Sequence, residues 1–374
     1  MKEIISIIDA YETAQKKGEA TALATVVKVE GSSYRGAGAR MLITEKGQLS
    51  GAISGGCLEG DALRRALMVI IQNKPLLVKY DTSEENGDVF GVGLGCEGII
   101  YVLIEPIDNK QILNPVYFLK QCLKKRSPNI LVSLFSKSNK KSSKQGTYTL
   151  IRMGQALGIN NEINWADFET EISEIFSTKT SLFKSFKLEN EAFEIFFEYI
   201  APRTRLVIAG AGNDVIPLVE AGEILGWEMV LLDGRPSHAN KQRFPTCQLL
   251  IGQAGKVLKE VNLDEYTALL LMTHNYNYDK EIVKWALDKE IKYIGMLGPK
   301  KKWAMMKEEI IAEGFDLLQI EMHSPMGLDI GAESSEEIAL SVLAEIKAVF
   351  ADSKGGSLFK QEGRIHPDRF YHYK

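Results

Sequence analysis

Three sets of residues in this 374-residue chain have types and spacings that could do chemistry. In the first, Ser54, Gly55 and Gly56 precede Cys57, where an apolar period of helical type begins. Small residues before a helix leave backbone N–H groups exposed and the helix dipole adds positive potential, so the place suits an anion and favours a thiolate. Arg35 and Arg40, in the preceding loop, would add positive charge if that loop folds back, while Glu59 and Asp61 oppose it. The alternative is a buried cysteine in a tight strand-to-helix turn. In the second set, an apolar run at 206–209 meets Gly210, Gly212 and Asn213. A helical period at 217–225 and a second apolar run at 229–232 follow, ending on Asp233 with Arg235 two residues later. The third set is Thr273, His274, Gly298, Lys300 and His323, each just after a predicted strand.

The order around the second set is strand, glycine turn, helix, strand, acid. A dinucleotide-binding βαβ unit needs that order, because the turn must aim backbone N–H groups and a helix N-terminus at a pyrophosphate. Asp233 stands 21 residues after Gly212, where a ribose-binding acid is expected. Val215 occupies the place of the third glycine, and Asp214 puts a negative charge in the first helical turn, which suits the dipole and opposes a phosphate. The alternative is a Rossmann fold that has lost its nucleotide or holds a different phosphate ligand.

The elements that must position these residues follow from periodicity. The pattern predicts a helix at 4–15, strands at 23–29, 41–44 and 49–53, a helix from about 57 to 72, and strands at 76–80 and 99–104. Residues 93–98 fit GxGxxG but lead into a β run, so they read as a turn and not a nucleotide site. A helix at 116–123, strands at 130–135 and 148–153 around a lysine-rich hairpin loop, a helix at 165–176 and a strand at 193–199 complete the first half. Pro202 marks the expected boundary. Beyond 233, strands at 248–251, 267–272, 293–297 and 317–320 alternate with helices at 254–261, 282–287 and 303–311. The pair Ser334 and Glu337 supplies a capping box for a last helix. Alternation of this kind builds a doubly wound parallel sheet, which binds ligands at the carboxyl ends of its strands. The expected architecture is therefore α/β: an N-terminal mixed α+β domain at 1–200, a Rossmann-like C-terminal domain at 201–350, and a polar tail at 351–374 whose default is disorder.

A net charge of −4 gives no basis for nucleic-acid affinity. None of the four cysteines forms a CxxC pair, so neither a structural zinc nor a disulfide framework is expected. No apolar run approaches the ~20 residues of a membrane span, and the amphipathic N-terminus is not a signal peptide. The expectation is a cytoplasmic protein.

Taken together, the blocks GSSYRGAGARMLI, GAISGGCLEGD and GLGCEG, then LVIAGAGNDV, DGRP, MTHNYNYD, YIGMLGPKKK and HSPMGLDIGAESSEEIA, resemble the XdhC/CoxI family of accessory proteins for xanthine dehydrogenase and related molybdenum hydroxylases. The resemblance covers most of the chain outside 107–195 and the extreme C-terminus. It implies a protein that binds molybdenum cofactor (molybdopterin), assists its sulfuration and loads it into a hydroxylase, with a homodimer as the expected assembly. By position, Cys57 and Cys96 match the family's SGGC and GLGC cysteines and His274 matches its MTH histidine; the metal ligands stay unassigned. The family commonly has histidine where this chain has Asn213, and glycine where it has Glu97. A helix N-terminus suits the cofactor's phosphate, and no nucleophile–base–oxyanion set is evident in the sequence, so a turnover enzyme is not required. Two other classes compete: an NAD(P)-dependent oxidoreductase using Gly210, Gly212 and Asp233, and an adaptor that docks a cysteine desulfurase and an apo-hydroxylase.

Overall fold

A computed structural model describes the chain except for residues 83–97, 109–110, 154, 159–162, 318–319, 361–370 and 374. It divides after Pro202 into two compact units.

The first unit contains α1 (Lys2–Lys16), β1 (Thr21–Gly31), β2 (Arg40–Thr44), β3 (Leu49–Gly51), α2 (Glu59–Gln72), β4 (Leu76–Asp81), β5 (Gly98–Ile107), α3 (Pro115–Lys124), β6 (Asn129–Phe135), β7 (Gly146–Arg152), β8 (Gln155–Gly158), α4 (Glu169–Thr178), β9 (Ser181–Leu188) and β10 (Glu191–Ile200). Its first sheet has the order β3-β2-β1-β5-β4, antiparallel throughout. Strand β1 is buried on both faces, and its period of two divides the load. Ala22, Ala24 and Val26 pack under Ala62, Ala66 and Val69 of α2, while Leu23 joins Ile7 and Ile8 of α1. In the second sheet, of order β9-β10-β6-β7-β8, Phe183 stacks on Phe196 with ring centroids 4.8 Å apart. Those rings meet Val27, Tyr101 and Leu103 of the first sheet. Arg40, 2 % exposed, crosses from β2 to an ion pair with Glu198 of β10.

The first unit departs from the sequence expectation at several places, the unpredicted short strand β8 among them. Strand β9 was not predicted, because Lys184 and Lys187, on opposite faces of the strand, interrupt the apolar run. The helix expected from about 57 begins at Glu59, with Leu58 as its N-cap, so Cys57 lies just outside it. Part of the tail expected to be disordered, Tyr371–Tyr373, adds a parallel strand to the edge of β9.

The second unit contains β11 (Arg205–Ala209), α5 (Val215–Ile224), β12 (Glu228–Asp233), β13 (Gln248–Ile251), α6 (Ala254–Val257), β14 (Thr267–Leu271), α7 (Tyr276–Ala286), β15 (Tyr293–Met296), α8 (Lys300–Ala312), β16 (Met322–His323) and α9 (Ser335–Phe350). The sheet runs β13-β12-β11-β14-β15-β16, all parallel. Alternate residues of β11 face opposite layers: Leu206 and Ile208 meet α5 and α9, and Val207 and Ala209 meet the α6–α8 side. This is the doubly wound arrangement with strand order 3-2-1-4-5-6, and its direction reverses between β11 and β14. The last strand is Met322–His323, two residues beyond the stretch predicted at 317–320. The capping box of α9 is present, with Glu337 N–H donating to Ser334 Oγ.

Candidate functional site

The glycine turn at the end of β11 is built by close backbone approach. Gly210 has φ +118°, and a Cβ there would stand 2.4 Å from the carbonyl oxygen of Met272 after β14, so only glycine fits. Gly212 is different: a Cβ would meet the Asp214 carboxylate, a side chain that can move. The Asp214 carboxylate therefore lies over the turn where a pyrophosphate would approach. Val215, in place of a third glycine, is fully buried at the start of α5. The exposed Asn213 accepts a hydrogen bond from Arg243 at 2.8 Å, and the same guanidinium donates to the carbonyls of Ala211 and His238, each at 2.7 Å.

Asp233 ends β12 almost fully buried. Its Oδ1 accepts from the backbone N–H (2.8 Å) and Nε (3.0 Å) of Arg235; its Oδ2 accepts from Arg235 Nη2 and from the Ala211 N–H, both at 2.8 Å. All four acceptor positions of the carboxylate are filled. Burial alone would raise its pKa, but the Arg235 bonds outweigh it and hold the acid below the ordinary carboxylate range. A ribose hydroxyl, the partner expected from sequence, would have to displace Arg235 to bind here.

The loops after β14 and β15 share one network. Thr273 donates to Asp279 Oδ1 at 2.6 Å, and Lys302 reaches Asp279 Oδ2 at 2.7 Å. Asp279 has no exposed surface. Burial pushes its carboxyl above the ordinary range, against the ammonium and hydroxyl that favour ionisation. Gly298 has φ +119° and a Cβ there would touch the Lys302 chain. His274 is exposed beside this network, and Lys300 is exposed at the start of α8. Sequence reasoning chose Lys300 over Lys302 from the lysine run and missed Asp279. The signal for Asp279 was its place in the inward stripe 279, 282, 283, 286 of α7. Lys302 has no local signal within its lysine run. Arg243, ten residues past Asp233, could be found only from the fold.

His323 lies apart from this network in the second unit. Its ring stacks on Tyr293 at 4.4 Å, and Nδ1 stands 3.2 Å from Glu345 Oε1. Glu345 also accepts from Tyr293 (2.5 Å) and from the Gly327 N–H (2.7 Å), which anchors β16 to α9.

In the first unit, Ser54 Oγ accepts from the N–H groups of Gly56 (3.2 Å) and Leu58 (3.1 Å). The Glu59 carboxylate accepts from the N–H groups of Ile53 (3.2 Å) and Ser54 (2.8 Å) and from the Ser54 hydroxyl (2.5 Å). Much of the expected anion site is thus filled by the chain's own carboxylate. Burial works against ionisation of Glu59, but the Ser54 bonds hold its pKa below the usual range. The loop does fold back, with the Tyr34 ring against Gly55, yet it brings no free positive charge: Arg35 pairs with Glu3 and Arg40 with Glu198. Cys57 is exposed, so the alternative of a buried core cysteine is corrected, whereas Cys122 and Cys247 are buried. Cys96 falls outside the described residues. Among the described residues no cluster of His, Cys, Asp and Glu could hold a metal ion, and no helix is long and apolar enough to cross a membrane.

Comparisons with known proteins agree on one family. A model described as the XdhC Rossmann domain matches residues 206–346, and one described as the XdhC and CoxI family matches residues 14–81. A Bacillus subtilis (strain 168) protein, named as a probable subunit of xanthine dehydrogenase, is 31% identical over 329 residues, 88% of this chain and 92% of the relative. The Escherichia coli (strain K12) molybdenum cofactor insertion chaperone PaoD is 21% identical over 337 residues, 90% of this chain and 85% of PaoD. A crystal structure described as a xanthine dehydrogenase from Bacillus halodurans matches with TM-score 0.75 and 31% identity, covering 95% of this chain and 98% of that one.

Proposed function

This chain belongs to the XdhC and CoxI family, and we propose that it is a maturation factor that binds molybdenum cofactor, assists its sulfuration and delivers it to a xanthine dehydrogenase-type hydroxylase. The observation that carries this reading is the alignment of PaoD, an insertion chaperone by name, along 90% of the chain. The cofactor is cargo, and it supplies a phosphate, a pterin and a dithiolene-bound metal centre. At the switch point, the partly exposed guanidinium of Arg235 suits a phosphate-bearing ligand, with the Asp214 carboxylate moved off the glycine turn. The exposed Cys57 of the first unit offers a thiol to the sulfur being installed. The reading makes a molybdenum hydroxylase the client, a cysteine desulfurase the sulfur donor, a homodimer the working form and the cytoplasm the compartment.

The NAD(P) oxidoreductase reading draws on the same turn, but it needs acceptors on Asp233 that Arg235 and Ala211 already occupy. The test is molybdenum and pterin analysis of the protein purified from cells that make the cofactor. Both should co-purify, and the Gly212→Leu variant, whose Cβ would press on the movable Asp214 side chain, should fold and lose them. Protein carrying neither molybdenum nor pterin, with nicotinamide dinucleotide quenching its tryptophan fluorescence, would overturn the proposal.

A further inference from the structure

An open polar cleft of about 370 Å³ lies in the second unit, lined among others by the exposed Gln253, Gly255, Asn275, Asn277 and Glu281 and the half-buried Tyr278. The size suits a bicyclic ring with room for its substituent. It is built where α6 and α7 begin, after β13 and β14, and one residue links it to the end of β12. The Gly252 N–H donates to the carbonyl of Asp233 (3.1 Å), and the Gly252 carbonyl accepts from the Tyr278 hydroxyl (3.1 Å). That second bond fixes the aromatic ring at the cleft wall.

The polar groups around the cleft form a recognisable set. Glu281 makes no hydrogen bond or ion pair among the described residues, although Lys256 lines the same cleft. Its carboxylate rests against Gly255, where a Cβ would stand 2.7 Å from Oε1, so the missing side chain is what leaves the carboxylate room. An ionised carboxylate accepts only, through two oxygens at the spacing of two adjacent N–H donors. Asn275 commits its side-chain oxygen to the Tyr278 N–H (3.1 Å), which leaves its NH2 as a donor. Asn277 and Gln253 can each donate or accept. Paired donors on the ligand facing a carboxylate, with a carbonyl facing an amide, describe the 2-amino-4-oxo pyrimidine edge. Adenine, with one amino donor beside a ring acceptor, does not match a carboxylate in this way.

We propose that this cleft holds the 2-amino-4-oxo edge of a pterin ring, with Glu281 accepting from its paired donors and Tyr278 forming the wall. The assignment rests on the cofactor-binding reading above and gives that cargo's ring its own subsite. Guanine carries the same edge, so the test separates the two sources. The full-length protein is titrated by calorimetry with 6-hydroxymethylpterin, guanosine and adenosine, and retained cofactor is measured in parallel. The pterin should bind most tightly. Glu281→Ala should weaken it by about 10- to 100-fold, the range for losing a hydrogen-bonded charge. Glu281→Gln should fall between, and Gly255→Leu, which fills the cleft, should abolish binding while thermal unfolding stays cooperative. Unchanged pterin binding in both Glu281→Ala and Gly255→Leu, no pterin binding by the wild type, or equal or tighter binding of guanosine or adenosine overturns the proposal. If the wild type retains cofactor and the variants retain it equally, the cleft assignment falls and the maturation reading stands. If no cofactor is retained but the pterin fragment binds and is lost with Glu281→Ala, the maturation reading falls and the cleft assignment stands.

Discussion

Arg235 closes the Asp233 carboxylate from both sides, donating from its backbone N–H and Nε to one oxygen and from Nη2 to the other. With the Ala211 N–H on the second oxygen, the acid at the end of β12 ties two loops together. Arg235→Ala should therefore uncover acceptors and raise the affinity for NAD above that of the wild type, measured by calorimetry. No change would show that Arg235 is not what closes the acid. Asp233→Asn should cost about 1–3 kcal/mol at neutral pH by leaving buried donors unmatched. Because the folded pKa of Asp233 is depressed, this contribution is present above the ordinary value near ~3.9 and is lost as pH falls through the folded value.

Lys302 is the cation that compensates the fully buried Asp279. Lys302→Met should destabilise the second unit by roughly 3–5 kcal/mol at neutral pH, the usual cost of leaving a buried charge alone. Burial already raises the Asp279 pKa, so without its partner the carboxyl should take up a proton more readily and the deficit should shrink under acid. Urea unfolding at pH 5 and pH 8 reads the difference. An equal deficit at both would mean that Asp279 does not titrate there.

Three cysteines have contrasting surroundings. Cys57 is exposed, whereas burial pushes the thiols of Cys122 and Cys247 up to about 12 and about 11. Iodoacetamide should modify Cys57 of the native protein first, and the other two only on unfolding, as followed by peptide mass mapping. Cys57→Ala should lower both cofactor retention and client activation. Normal values for both would make the thiol chemically idle.

Glu105, buried on β5, accepts from Thr147 N–H (2.6 Å) and Oγ1 (2.8 Å), and burial raises its pKa from 4.5 to about 6. A raised folded pKa means that the folded state holds the proton more tightly. Stability should therefore fall as pH rises from 4.5 through 6. Relative to Glu105→Gln, the wild type should lose about 2 kcal/mol between pH 4 and pH 7. Parallel pH profiles of the two proteins would refute the shift.

The order of elements in the second unit was legible because parallel strands buried on both faces leave unbroken apolar runs, and because Gly210 must be glycine wherever the backbone closes on Met272. Periodicity likewise set the inward stripe of α1 and most of that of α2, whereas α7 begins six residues before the stretch expected at 282–287. What the residues at the site do was decided by tertiary structure alone. Asp233 matches a ribose acid in spacing, but Arg235 folds back onto it. Ser54 to Cys57 read as an open anion site, but the Glu59 carboxylate turns into it. Lys302 and not Lys300 faces the network, since the helical phase of α8 and the position of Asp279 on a neighbouring helix choose between them. The physical reason is the same in each case. Backbone pattern fixes where the elements run, whereas the hydrogen-bond state of a charged side chain depends on which donors and acceptors, near in sequence or far, the packed structure brings within reach of it.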